Sequence, residues 1–360
     1  MKIFNIKNYA ICLIITILFA CLRILDPFFI ETARLKGLDY YQNTQEKVKS
    51  ENIAIIEIDE DSLDEYGQWP WKRDLIAQGI IKAYESGAQL VVVPILFAEK
   101  DRLGGDQELV ELLSEAPVII GQSASTKGKG DPVPRGLATI GESLDGWLFD
   151  YPEAIGPVKE LGEVAAGVGM ILTAPELDGV VRRMPLVIQI KGEAYPTIPL
   201  EVIRLFSGEQ SYQAKVSEAG VEAIRVPGFD PIVTDENSRV WVNFKYEFDK
   251  VSFKDADWSA VQDKIAVIGI TGEGLANTIA TSTGISYGHE VNCHALQMII
   301  DESRLVRPAE AKLLEVLITA AFCSLLIIGA LFLSYKFSFI LIVLSLAAGP
   351  IIGNILFNKH

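Results

Sequence analysis

The sequence predicts a three-layer α/β domain around a mixed, mainly parallel sheet, flanked by one N-terminal and two C-terminal transmembrane helices. Apolar runs at both ends of the 360-residue chain are long enough to cross about 30 Å of hydrocarbon. Residues 52–97 read strand, helix, strand, the βαβ pattern of a parallel pair with a right-handed crossover. The segment between the apolar ends, Asp26 to Lys312, is large enough to bury a core of its own.

The first apolar run is Tyr9 to Leu22, continuing past Arg23 to Leu25, and it spans if Arg23 snorkels to the interface. A cleaved signal peptide competes, because Lys2 and Lys7 precede the run and Leu18-Phe19-Ala20-Cys21 resembles a lipoprotein cleavage site. Phe19 is bulky where such a site wants a small residue, so residues 1–25 are expected to stay as an anchor. Asn52 to Asp59 is a β-branched strand ending in carboxylates, Leu75 to Ser86 carries helical spacing up to Gly87, and Leu90 to Phe97 is a second strand. Asp106 to Ser114 then reads as helix and Val118 to Gly121 as strand, with Ser123 to Arg135 a polar, breaker-rich surface loop. Ala165 to Leu172 and Met184 to Ile190 read as strands joined by a turn at Pro175 to Gly179. Leu200 to Phe206 reads as helix, Val240 to Phe244 and Lys264 to Ile270 as strands, and Asn292 to Asp301 as the last helix of the domain. Residues 313–334 and 337–357 are almost uncharged, with Lys336 in the short connection, and form the expected helical hairpin in the bilayer.

A hydrophobic share of 49% and a mean hydropathy of +0.27 fit a protein with a few spans. Outside residues 26–312 the charges are Lys2, Lys7, Arg23, Lys336 and Lys359 against Glu315, a net of +4, which leaves −19 of the total −15 on the domain. Such a surface repels nucleic acid and anionic headgroups. Cys12, Cys21 and Cys323 lie in the apolar runs and Cys293 stands alone in the domain, so no intradomain disulfide forms and the compartment stays open. The positive-inside count sets Lys2, Lys7 and Lys336 against Arg304, Arg307 and Lys312. The count alone leans toward a cytoplasmic domain, but long domains translocate largely regardless of charge and the first helix often dominates, so Lys2 and Lys7 still allow the domain to face outward.

The densest polar constellation begins where the first strand ends, with Asp59, Glu60 and Asp61, and continues through Trp69-Pro70-Trp71-Lys72-Arg73; the second strand ends at Glu99-Lys100-Asp101. In a parallel pair both ends share one edge, so Asp59 and Glu99 or Asp101 are expected near one crevice, where α/β folds bind ligands. Two carboxylates there can hold a cation, share a proton, or bind a basic ligand. They can equally serve the fold, Asp59 capping the following turn and Arg73 neutralising the cluster. Trp69 and Trp71 are either packing anchors of a rigid turn or one wall of a pocket. Asp59, Trp69, Trp71, Arg73, Glu99 and Asp101 are therefore the candidate ligand-binding residues. Gly269, Gly272 and Gly274 fit neither dinucleotide nor P-loop spacing and read as a tight strand-to-helix turn. His289 and His294 flank Cys293 without a second cysteine, which favours structural histidines over zinc. No nucleophile elbow and no kinase motif is present, so neither a catalytic residue nor a cofactor is expected.

The blocks Ile58-Asp59-Glu60-Asp61-Ser62-Leu63, Gly67-Gln68-Trp69-Pro70-Trp71-Lys72-Arg73, Gly87-Ala88 and Leu96-Phe97-Ala98-Glu99-Lys100-Asp101 with Gly105-Asp106 resemble the CHASE type-two extracytoplasmic sensory domain. The resemblance continues through Asp178-Gly179-Val180-Val181-Arg182-Arg183-Met184-Pro185-Leu186, Tyr195-Pro196, Val242-Asn243-Phe244, Ile268-Gly269-Ile270-Thr271 and His294-Ala295. It implies the input domain of a bacterial signalling protein, set between an N-terminal membrane helix and, in most members, three further membrane helices and an intracellular output domain. Two departures stand out: Pro94 sits where the family often has an acidic residue, and two apolar helices precede His360. The first weakens transfer of a shared acidic site; the second, unless the chain is a fragment, leaves the signal to a separate partner.

The reading that follows is a non-enzymatic sensory protein of the bacterial inner membrane. Its outward domain binds a small ligand or protein and relays through its helices to a second copy or to a membrane or periplasmic partner. A scaffold subunit of an envelope assembly is the alternative, and a metal-dependent enzyme using Asp59 and Glu99 a third.

Overall fold

The β-branched runs of the middle segment lie side by side in one seven-stranded sheet, around which the computed structural model is organised. It describes residues 6–303, 305, 311–332 and 334–357. Lys2, Arg304 and Arg307, used in the charge count, fall outside them, as do Lys359 and His360. Two units cluster separately, one of Glu46–Val306 and one of Met1–Gln45 with Arg307–His360.

The chain opens with α1 (Ile6–Leu25) and α2 (Phe28–Thr44). The α/β unit runs β1 (Val48–Ile58), α3 (Glu60–Tyr66), α4 (Arg73–Glu85), β2 (Leu90–Leu96), α5 (Asp106–Glu115), β3 (Val118–Ser125), β4 (Leu137–Gly141), β5 (Asp150–Tyr151), β6 (Glu153–Ile155), α6 (Lys159–Val164), β7 (Gly167–Met170), β8 (Arg183–Pro185) and β9 (Val187–Ile190). It continues with β10 (Glu193–Pro196), α7 (Ile198–Ser207), β11 (Tyr212–Ser217), β12 (Gly220–Arg225), β13 (Ile232–Val233), β14 (Arg239–Trp241), β15 (Tyr246–Ser252), β16 (Ile265–Ile270), β17 (Thr278–Thr281), β18 (Gly284–Tyr287) and α8 (Gly288–Ile300). After it come α9 (Ala311–Phe332) and α10 (Tyr335–Phe357).

The main sheet has the order β15-β1-β16-β2-β3, with β7 parallel and β6 antiparallel to β3. It is mixed and mainly parallel, as expected. β2 and β16 are apolar at every position, and β1 is nearly so over Ile53–Ile58, because both faces are covered there. Ile53, Ile55, Leu90, Val92, Ile265 and Val267 point into a core shared with Leu200 and Ile203 of α7, Leu296 and Ile299 of α8, and Tyr212 and Ile224 of the β11–β12 hairpin. Ala54, Ile56, Ile58, Val91, Val93 and Ile268 point the other way, onto Ile76 and Ile80 of α4, Leu109 and Leu113 of α5, and Trp258. Each fully buried Ile or Val contributes about 1.5–3 kcal/mol, so these two cores hold the three layers.

Three expectations are corrected. β1 and β2 are parallel but do not pair: β16 lies between them, with Ile265–Val267 in register with both Ile53–Ile55 and Leu90–Val92. The short apolar run Ile265–Ile270 is the most deeply buried choice for that slot, and chain order carries no information about it. The polar stretch Ser123 to Arg135 starts as strand, since Ser123–Ser125 pair with Glu153–Ile155 of β6. Met184 to Ile190 divides into β8, which joins β14, and β9, which joins β5 and β10, because Leu186 instead exchanges bonds with Ser238 and Thr197.

In the unit built by the chain ends, α1, α9 and α10 occupy the three apolar runs, and Arg23 is buried between Asp26, at 3.0 Å, and Glu315. Over the described residues no single helix is long and apolar enough to cross a membrane; Leu13–Leu25 and Phe28–Thr44 meet the requirement together across a 73° bend. The helix α2 lies at the start of the segment that the sequence assigned to the domain, and it groups with the terminal helices.

One contact locks α8 to the sheet. A Cβ on Gly269 would lie 2.3 Å from Nε2 of His289, so the ring fills the place of a side chain in β16. Gly269→Ala is expected to lower the unfolding free energy by about 1–3 kcal/mol. Combining it with His289→Ala should cost less than the sum of the two single changes, read by urea denaturation.

Candidate functional site

The carboxyl edge of the main sheet collects the ends of β1, β2, β15 and β16, and all six sequence candidates lie along it or on the loops that leave it. They form three separate groups. Because β16 intervenes, Asp59 and Glu99-Asp101 start two strand spacings apart, about 10 Å, and no hydrogen bond or ion pair joins them among the described residues.

The first group is centred on Arg73. The residue opens α4 and is buried. Its guanidinium donates to the Asp106 carboxylate and to the Glu99 carbonyl, and stacks over Phe97 with 5.2 Å to the ring centre. Its backbone N–H donates to Asp101 Oδ2 at 2.8 Å, while Asp101 Oδ1 accepts from Leu103 N–H at 2.9 Å and Asp106 Oδ2 from Asp101 N–H at 3.0 Å. The Asp101 carboxylate thus caps the positive end of α4. Gly105, at φ +101°, brings the loop within a Cβ's reach of Asp74 N, 2.6 Å, an approach only glycine permits. The Glu99 carboxylate turns outward to Lys129, and that partner holds its pKa below the ordinary value.

In the second group, one oxygen of Asp59 accepts three bonds, from Ser62 N–H (2.9 Å), Ser62 Oγ (2.6 Å) and Ser252 Oγ (2.8 Å). Partial burial works against its charge, but the donors outweigh it and the pKa falls. Asp59 is the N-cap of α3 and ties the end of β1 to the end of β15. The third group is aromatic. Trp71 is buried, donates to the Gly67 carbonyl at 2.6 Å, and stands 5.1 Å from Phe253, 5.5 Å from Tyr66 and 5.7 Å from the half-buried Trp69. These rings close the core against Trp258.

The glycine loop after β16 spends its amides internally: Thr271 and Gly272 N–H donate to the Ile58 carbonyl at 3.0 and 3.1 Å, and Glu273 N–H to the Glu60 carboxylate. The β17–β18 hairpin follows it, not a helix. His289, Cys293 and His294 are buried on α8, and no set of three metal-ligating side chains gathers among the described residues. His294 sits between Phe244 and Phe248 at 5.1 and 5.0 Å, its Nδ1 without a hydrogen bond.

Sequence reading passed over two buried ion-pair systems. Arg182, fully buried, makes two bonds to Asp178 (2.9 and 2.8 Å), and Arg183 two to Glu176 (2.6 and 2.7 Å) and one to Asp235 (3.0 Å), with Trp241 under its plane. They fix the turn that carries the Asp178–Leu186 block. On α7, Glu201 pairs with Arg204 at 2.9 Å and accepts from Tyr212, with Arg135 Nε 3.5 Å away. The signal for the latter was present as Glu201 and Arg204 at i, i+3 on an apolar helix.

The chain matches the CHASE2 domain family over residues 12–331. Neither the curated proteins nor the solved structures compared with it give a match.

Two outcomes follow from the site. Arg73→Ala strands a buried carboxylate and carbonyl and should cost about 2–4 kcal/mol of unfolding free energy, against about 1 kcal/mol for Asp59→Ala, both read by tryptophan fluorescence in urea. Burial pushes the His294 imidazole down to about 3 and that of His289 down as well. A depressed histidine pKa means that the unfolded chain binds more protons below the ordinary value of about 6.5, so stability present at neutral pH is lost as pH falls through that value. Burial alone would raise the Glu290 pKa, but Lys250 and Ser286 bring it to about 2, and its contribution is lost only below about 4.5. From pH 6.5 to 5.0 the native chain should therefore lose about 1.5 kcal/mol more than His294→Phe.

Proposed function

Because the chain belongs to the CHASE2 domain family of extracytoplasmic sensory domains, we propose that residues 46–306 are the receiving part of a sensor anchored in the bacterial inner membrane. The observation that carries this reading is the extent of the match, which begins inside α1, crosses the whole α/β unit and ends inside α9. In the proposal α1, α9 and α10 cross the bilayer and hold the domain outside the cytoplasm. A ligand or partner protein that binds one arrangement of the domain better than another shifts the equilibrium of the helices, and a second copy or a membrane or periplasmic partner reads the shift. The protein acts by binding and not by catalysis. In support, the two carboxylates a hydrolytic centre would draw on, Asp59 and Glu99, are engaged with Ser62 and Ser252 and with Lys129.

Protease added to spheroplasts carrying the full chain should release fragments of residues 46–306 without lysis. Cleavage that requires lysis would place the domain in the cytoplasm and sink the proposal.

A further inference from the structure

The small sheet runs β13-β12-β11-β4, so among the described residues β4 has a neighbouring strand on one side only. It lies parallel to β11, Leu137 opposite Tyr212 and Gly141 opposite Val216. At the two ends of this ladder Tyr212 N–H donates to the Gly136 carbonyl at 2.9 Å and Glu142 N–H to the Val216 carbonyl at 3.0 Å. Alternate residues of a strand bond the same neighbour, so positions 136, 138, 140 and 142 face β11, and the N–H and C=O groups of Leu137 and Thr139 point out of the sheet.

One step earlier, the outward N–H of Arg135 donates to the Ala194 carbonyl of β10 at 3.0 Å. The β9–β10 hairpin covers the edge there and then departs from it. The wedge left between them is a groove of about 690 Å³ lined by Leu137, Thr139, Glu142, Asp145 and Glu193 among others, a volume in the usual ligand-site range of roughly 300–1,000 Å³. Bare edges are normally guarded by charge, proline or a covering element, whereas Leu137-Ala138-Thr139-Ile140-Gly141 has no charge and no proline. Glu142, Asp145 and Glu193 are all exposed at its rim. Among the described residues the one cation lining the groove, Arg135, leans on the buried Glu201.

We infer that this groove takes an extended basic peptide segment, added to β4 as a fifth strand. Its main chain bonds Leu137 and Thr139, and its lysine or arginine side chains meet Glu142, Asp145 and Glu193. This deepens the sensory reading by naming the class of partner, and it rests on that reading for the compartment in which the peptide is met.

The test uses the full chain in detergent micelles and fluorescence anisotropy with three labelled octapeptides: alternating Lys and Val, alternating Glu and Val, and the Lys-Val peptide N-methylated at alternate amides. The Lys-Val peptide should bind, the Glu-Val peptide should not, and N-methylation should weaken binding about tenfold or more through the lost main-chain bonds. Thr139→Pro removes an outward N–H that the ladder with β11 does not use, so it should match the native chain in thermal unfolding and still lose the peptide to the same extent; Glu193→Lys should weaken the Lys-Val peptide and leave the fold intact. Equal binding of the N-methylated peptide, native affinity in Thr139→Pro, or no binding of the Lys-Val peptide overturns the inference. So does a concentration-dependent dimer, seen by sedimentation, that Thr139→Pro dissolves, since β4 would then be covered by a second copy. Peptide binding with protease-protected spheroplasts would defeat the sensory location alone and leave the groove standing.

Discussion

The seat of β16 between β1 and β2 is the constraint on which the α/β unit depends. Ile265, Ala266 and Val267 stand in register with both neighbours, and their side chains feed both cores at once, Ile265 and Val267 on one face, Ala266 and Ile268 on the other. The strand arrives about 170 residues after the slot it fills was opened by β1 and β2. Until it docks, two apolar strands have unpaired edges and neither core can close, so the sheet belongs to the non-local contacts that form slowly. The carboxyl edge has the same dependence. Asp59 meets Ser252 only because β15 and β1 are neighbours, and Thr271 and Gly272 reach the Ile58 carbonyl only because β16 and β1 are.

Charge is divided between interior and surface in a consistent way. Arg73, Arg182, Arg183 and Arg204 are buried or nearly so and each is matched by a carboxylate, that of Arg204 from its own helix and the others from a nearby loop or turn. Such pairs add little net stability over apolar packing, yet breaking one leaves an uncompensated charge inside. The acidic surplus of the domain therefore lies mostly on the outside, where it governs which molecules approach. The groove beside β4 concentrates three of those surface carboxylates around backbone groups that, among the described residues, point away from the sheet.

What could be read from the residues alone was whatever leaves a periodic or continuous apolar trace. Ile53–Ile58, Leu90–Leu96 and Val118–Ile120 announced buried strands, α4 announced itself by helical spacing up to Gly87, and the bulk of α5, α7 and α8 also read as helix, the last without its opening Gly288–Val291. The capping role of Asp59 and the structural pairing of Arg73 were also within reach, since both partners lie on short segments with recognisable turn chemistry. Strand order was not, because a crossover pattern states that two strands are parallel and says nothing about what slips between them; for that reason the single crevice expected for Asp59 and Glu99 or Asp101 is divided by β16. Tyr246–Ser252 was hidden because an edge strand with Glu247, Asp249 and Lys250 reads as loop, and Leu137–Gly141 because Gly136 before it and Gly141 at its end read as breakers.

Gly269 and His289 together set a mechanical property of the last helix of the domain. A ring seated in the space of a missing side chain acts as a key in a slot: α8 cannot slip along its axis past β16 without forcing imidazole against backbone. With eleven of its thirteen residues buried, the helix has also lost the freedom to roll. Any displacement delivered at Ile300 is then a displacement of sheet and helix together, carried by a stiff lever and not by a sliding rod.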